Sequence, residues 1–118
     1  MAQNHKQGDI FYADLPKDSK HIQAGFRPVV IMQNDVGNRY SPTVTVVPLT
    51  SKKKSTHLPT HAIIEVDQNN GLKCDSVVLG EQITTIPVER IGKRIGRLDV
   101  DDLSIVWKAV FNQIAFQK

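Results

Sequence analysis

The chain is 118 residues long, 40% hydrophobic and 23% charged, with a formal net charge of +3. That length suits one domain over residues 1–118 with a single core, and the composition excludes a wholly disordered chain. Its single cysteine, Cys74, excludes an internal disulfide and a thiolate metal cluster, and it fits a reducing cytoplasm. The first seven residues are polar and lack a signal-peptide core, and no apolar run approaches the roughly 20 residues of a membrane span. The expectation is a cytoplasmic protein without a membrane partner. A charge of +3 permits a polyanionic partner but does not require one.

In chain order, residues 8–15 have the mixed alternation and aromatic content of a first strand, ended by Pro16. Residues 16–25 form a polar loop, long enough on a small domain to suggest a functional role. Residues 27–33 predict a second strand, with Pro28 near its start or on an edge because proline has no amide donor. Residues 34–42 are turn-rich, and Asn34 or Asp35 can cap a short helical turn there. Residues 44–49 are almost all apolar or β-branched, which predicts a third strand buried on both faces.

Residues 50–59 form a second loop carrying Lys52, Lys53 and Lys54. A fourth strand is expected over 61–66, then a turn at Asn69-Asn70-Gly71. A fifth strand opens at 75–79 and is expected to run on through Gln82 to Ile86. Residues 89–95, with Gly92 inside and Gly96 after them, favour strand or turn over helix. The period then changes. Leu103, Val106, Trp107, Val110, Phe111 and Ile114 follow helical spacing and predict one broad apolar face, with Trp107 and Phe111 in the core. Asp99, Asp101 and Asp102 stand where a helix N-terminus favours capping oxygens. Strands followed by one clear helix predict an α+β domain, or a strongly curved β-barrel-like one.

Metal chemistry is poorly supported. Of the four histidines only His57 and His61 have i, i+4 spacing, and Pro59 between them opposes a helix. No cysteine or carboxylate pattern completes a site, and no phosphate-loop, dinucleotide or nucleophile-elbow motif is present. No cofactor and no metal are expected. Phosphate chemistry fits better. If the second and third strands are neighbours, the Arg27 guanidinium can meet the Thr50 and Ser51 hydroxyls at one sheet edge. A planar guanidinium matches phosphate oxygens. The residues alone leave open whether Arg27 does this or holds the loop through an ion pair.

An ordered series of short blocks carries a resemblance. Residues 8–10, 23–29, 33–35, 38–43, 47–50, 58–61, 71–72, 75–79 and 81–83 follow one another as in the MazF/PemK toxin family. Among them are Gln23-Ala24-Gly25-Phe26-Arg27-Pro28, Val47-Pro48-Leu49-Thr50 and Glu81-Gln82-Ile83. The resemblance spans nearly the whole chain. It implies a homodimer of curved antiparallel sheets, SH3-like small barrels with a packed C-terminal helix. It implies a metal-independent, sequence-specific endoribonuclease that acts on single-stranded RNA and is blocked by a cognate antitoxin.

The family's catalytic arginine and threonine fall on Arg27 and Thr50. Gln23, Ser51, Gln82 and Lys52 are the RNA-binding candidates, in loops able to read splayed bases. His61 is an acid–base candidate, with a strand-end histidine bonded to backbone as its blander reading. Two departures matter. Many relatives carry Ser-Glu where this chain has His21-Ile22, so a carboxylate that could orient the arginine is missing. Many also carry arginine where this chain has Thr84. CcdB-like relatives of the same fold poison DNA gyrase instead, and a third reading is an RNA-binding module without turnover.

Overall fold

The computed structural model describes residues 4–17, 22–51 and 58–116. Seven strands are described: β1 (Asp9–Leu15), β2 (Gly25–Ile31), β3 (Thr43–Ser51), β4 (His61–Ile64), β5 (Ser76–Leu79), β6 (Thr84–Pro87) and β7 (Ile91–Arg97). Helix α1 (Asp35–Tyr40) joins β2 to β3, and α2 (Val100–Ile114) closes the chain. The strand order is β4-β5-β3-β2-β1-β7, with β6 also on β3, and all pairings are antiparallel. This is the expected curved sheet with a C-terminal helix.

Alternation along the strands supplies two apolar clusters, one per face of the sheet. Val29, Ile31, Val44 and Val46 join Phe11, Ala13, Ile86 and Ile91 on one face. Val30, Val47 and Leu49 join Ile10, Ala62, Ile64, Val78 and the helix residues Val106, Ala109 and Val110 on the other. A period of two in a strand buried on both sides gives this division. Pro28 pairs with Tyr12 of β1, and the registered pairs of β2 with β3 begin only at Val29. The missing amide donor therefore interrupts no β2–β3 pair.

The expected extension of β5 to Ile86 does not occur. β5 stops at Leu79, and a 3₁₀ turn over Gly80–Gln82 carries the chain along β3. β5 pairs with the C-terminal end of β3, through Leu49, Thr50 and Ser51. β6 pairs with its N-terminal end, from Thr43 to Val46. The break lets β5 and β6 pair with opposite ends of β3. Gly80 makes it sterically possible: its N–H donates to the Thr60 carbonyl at 2.8 Å, and a Cβ there would lie 2.9 Å from the Ala109 backbone of α2.

That close approach also explains a correction on α2. Trp107 and Phe111, expected in the core, are 56% and 48% exposed. They stack on each other at 5.4 Å between ring centroids. The apolar residues form two adjacent stripes, and the sheet takes the smaller side chains, Val106, Ala109 and Val110. Ala109 brings the helix backbone down onto Gly80 and leaves the aromatic stripe outside. The expected caps are in place: Asp99 accepts from the Asp102 N–H at 2.7 Å, and Asn34 accepts from the Gly37 N–H at 3.0 Å.

The turn before β5 is built from side-chain bonds to backbone. Asn70 is fully buried. Its Nδ2 donates to the Glu65 carbonyl at 2.8 Å, and its Oδ1 accepts from the Leu72 N–H at 3.1 Å. Asp67 Oδ1 accepts from the Asn69 and Asn70 N–H groups at 2.7 and 2.8 Å. The turn seats on β7, where the Arg97 N–H donates to the Asn69 carbonyl at 2.9 Å. This seating positions one wall of the cleft described next.

Candidate active site

β2 and β3 are neighbours, and their register pairs Val29 with Pro48. Arg27 and Thr50 each lie two residues beyond that last registered pair. Both line a cleft of about 200 Å³, with Tyr12, Pro28, Ser51, Lys73, Cys74 and Ser76 among its other lining residues. Its lining residues include two cationic and four hydroxyl-bearing ones, and none with a carboxylate or an imidazole. Such a surface suits an anion that accepts hydrogen bonds.

The Arg27 side chain is exposed, and its Nε–H donates to the Ala24 carbonyl at 3.0 Å. That bond comes from the loop just before β2 and orients the guanidinium without a carboxylate. Backbone thus holds the arginine where many relatives carry Ser-Glu, and no acidic group among the described residues pairs with it. Other arginines differ. Arg94 pairs with Asp9 at 3.3 Å and Arg90 with Asp14 at 3.8 Å. Thr50 is half-buried in the pairing of β3 with β5, opposite Val77, and Ser51 is opposite Ser76.

Gln23 and Gln82 meet in a neighbouring cavity lined also by Leu15, Ile22, Pro48 and Glu81. The Gln23 N–H donates to Gln82 Oε1 at 2.9 Å, so the two RNA-binding candidates form one unit. His61 lies at the start of β4, and its Nε2 is 2.9 Å from Glu81 Oε2. Thr60 Oγ1 donates to Glu81 Oε1 at 2.9 Å. His61 is the strand-end histidine of the blander reading, its N–H donating to the Leu58 carbonyl at 3.0 Å, and a carboxylate also holds its ring. Burial pushes the Glu81 carboxyl up, but hydrogen bonds from His61, its own backbone and Thr60 outweigh this and leave it below the ordinary glutamate range. Lys52, the remaining candidate, lies outside the described residues, as do His21 and His57.

Sequence reasoning missed Tyr12, Lys73, Cys74 and Ser76. The turn signal at residues 69–71 stands next to two of them, but only the seating of that turn on β7 carries them to Arg27.

At the opposite end of β1–β3 a polar cavity is lined by His5, Lys6, Asp35, Asn38, Arg39 and Tyr40. His5 is 3% exposed, and neither ring nitrogen has a hydrogen-bond partner among the described residues. Burial lowers its pKa. The charges of Asp9 and Asp35 oppose that shift, and Lys6 adds to it. A histidine kept neutral by the fold costs stability in acid, because the unfolded chain takes up a proton near pH 6.5 that the folded chain refuses. Stability should therefore fall as pH drops below about 6.5, and His5→Phe should reduce that fall. Urea midpoints at pH 7.5 and 5.5 check this; an unchanged pH slope in the variant would contradict it.

With the geometry in place, residues 6–114 match the model of the PemK-like, MazF-like toxin of type II toxin–antitoxin systems. The chain belongs to this family. It is 42% identical over 106 residues to the endoribonuclease EndoA of Bacillus subtilis, covering 89% of this chain and 90% of that one. Its fold is similar to that of the Mycobacterium tuberculosis toxin MazF-mt6, with a TM-score of 0.73, 31% identity, and 93% and 99% of the two chains covered. It is also similar in fold to a mycobacterial endoribonuclease solved in complex with its cognate antitoxin, with a TM-score of 0.76, 19% identity, and 97% and 98% covered. Among the described residues of this MazF/PemK-family toxin, no helix is long and apolar enough to cross a membrane.

Proposed function

We propose that this MazF/PemK-family toxin is a sequence-specific, metal-independent endoribonuclease, with Arg27 and Thr50 as its catalytic residues. Two things support the reading: the endoribonuclease EndoA at 42% identity, and a cleft in which an unneutralised guanidinium shares its space with the Thr50 and Ser51 hydroxyls. The second is the observation that carries the residue roles. A gyrase poison of the same fold would need no such pairing.

The chemistry is a transesterification. The ribose 2′-oxygen attacks the adjacent phosphorus and loses its proton. The P–O5′ bond breaks and the leaving 5′-oxygen gains a proton. The products are a 2′,3′-cyclic phosphate and a 5′-hydroxyl. Negative charge builds on the non-bridging oxygens, where Arg27 supplies fixed positive charge and Thr50 Oγ a hydrogen bond. A guanidinium is a poor proton donor or acceptor in a protein, so the role of Arg27 is electrostatic. Gln23, Ser51, Gln82 and Lys52 contact the RNA around the cut, and His61, held by Glu81, is the reserve acid–base group. DNA is not a substrate because it has no 2′-hydroxyl.

The toxin works in the cytoplasm as a homodimer, with single-stranded RNA across the two subunits and its cognate antitoxin covering the same surface. RNA and its DNA counterpart incubated with the protein in excess EDTA test the reading. Discrete RNA cuts with cyclic-phosphate ends, absent from DNA and lost in Thr50→Ala, are expected. No cutting by the folded protein would overturn it.

A further inference from the structure

Arg27 accounts for one phosphate, yet the cleft carries a second cation. Lys73 lines the same space as Arg27, Thr50 and Ser51. It is exposed and makes no ion pair among the described residues. A lone surface lysine would mean little. This one sits on a wall whose backbone is fixed by tertiary structure. Asn70, fully buried, is bonded to Glu65 and Leu72 on either side of the turn. Gly71 has a φ of +69°, and a Cβ there would run into the Ile95 carbonyl oxygen. Gly96 meets the Asn69 and Asn70 backbone from β7 in the same way. The turn and the strand are thus in direct backbone contact just before Lys73. On the other flank the Ser76 hydroxyl donates to the Cys74 carbonyl at 3.0 Å.

A cation whose main chain is held this firmly, across a cleft from an oriented guanidinium and with no carboxylate lining the space between, is set to meet a second anionic group. On a nucleic-acid strand that group is the neighbouring phosphate. We infer that residues 71–76 form a second phosphate subsite, in which Lys73 binds a backbone phosphate adjacent to the one held by Arg27. This rests on the ribonuclease reading and adds to it a residue that binds substrate without taking part in bond breaking. Its contribution is shared by the bound RNA and the transition state, so it lowers KM and leaves kcat alone. Lysine acts here as a point charge, so arginine can replace it.

The test uses full-length protein and one cleavable RNA oligomer. Lys73→Ala should raise KM several-fold with kcat unchanged, and Lys73→Arg should restore it. Binding of the same oligomer to the Arg27→Ala protein, followed by fluorescence anisotropy against salt, should lose about 0.7 in log–log slope when Lys73→Ala is added, the value for one phosphate contact on a single strand. Lys93→Ala, which removes an exposed cation of β7 outside the cleft lining, should leave KM and slope unchanged. A general field effect would move both variants alike and would overturn the subsite. So would a fall in kcat without a change in KM, or an unchanged salt slope. If the wild type neither binds nor cuts RNA, the ribonuclease reading itself fails; if the wild type cuts normally and only the Lys73 effects are missing, the subsite alone fails.

Discussion

Arg27→Ala should lower the cleavage rate at saturating RNA by at least about a hundredfold while the protein melts at nearly the wild-type temperature. Removing one preorganised donor from a developing oxyanion typically costs about 10²–10³ in rate, and Arg27 is the guanidinium of the cleft. Stability should change by less than about 1 kcal/mol, because an exposed side chain with a single bond to a carbonyl carries little of the fold. Arg27→Lys should recover little. Lysine keeps the charge, but its point-like ammonium cannot hold the Ala24 carbonyl and still offer a planar fork to phosphate. Single-turnover cleavage beside a thermal melt measures both quantities. Activity within threefold of wild type in a folded Arg27→Ala protein would remove Arg27 from the chemistry.

Gly71→Ala should have the largest effect on stability. Its φ of +69° lies in the left-handed region, which costs a residue with a Cβ about 1–2 kcal/mol. The added Cβ also collides with the Ile95 carbonyl oxygen, a backbone atom inside β7 that cannot swing away. Overpacking of that kind adds about 1–3 kcal/mol. Together these should lower the melting temperature by roughly 10–20 °C in a domain of this size. Gly25→Ala makes the comparison. Gly25 has a φ of +79°, but no atom lies within 4 Å of where its Cβ would stand, so it should show the backbone cost alone. Equal losses in the two variants would mean that the contact with β7 contributes nothing. Gly71 also lines the cleft, so surviving Gly71→Ala protein should bind RNA more weakly.

Much of this architecture is legible in the residues because its causes are local. Mixed alternation finds β1, an apolar β-branched run finds β3, and the aspartate and asparagine before each helix find the caps. That Arg27 and Thr50 line one cleft follows once β2 and β3 are neighbours. What local pattern does not contain is partner choice. Two apolar stripes on α2 look alike in periodicity, and only the close approach of Ala109 to Gly80 decides that Trp107 and Phe111 stay outside. The break between β5 and β6 lets them pair with opposite ends of β3, a choice of partner that no residue in 79–84 announces by itself. Lys73 reaches the cleft through a turn seated on β7, a strand far from it along the chain, and the Glu81 partner of His61 comes from the 3₁₀ turn beyond β5. The absent Ser-Glu is a further case. Its loss looks damaging in sequence, whereas the Ala24 carbonyl holds the guanidinium instead.

In the proposed mechanism the substrate's own 2′-hydroxyl is the nucleophile at a phosphate held by Arg27. Once a cut site is mapped, the direct measurement is cleavage of an RNA carrying a single 2′-deoxy substitution at the nucleotide 5′ to that cut. Cutting should stop at this bond while the oligomer still binds and a second, unsubstituted site is cut as before. Cutting at the substituted bond would contradict that mechanism and require an external water as the nucleophile.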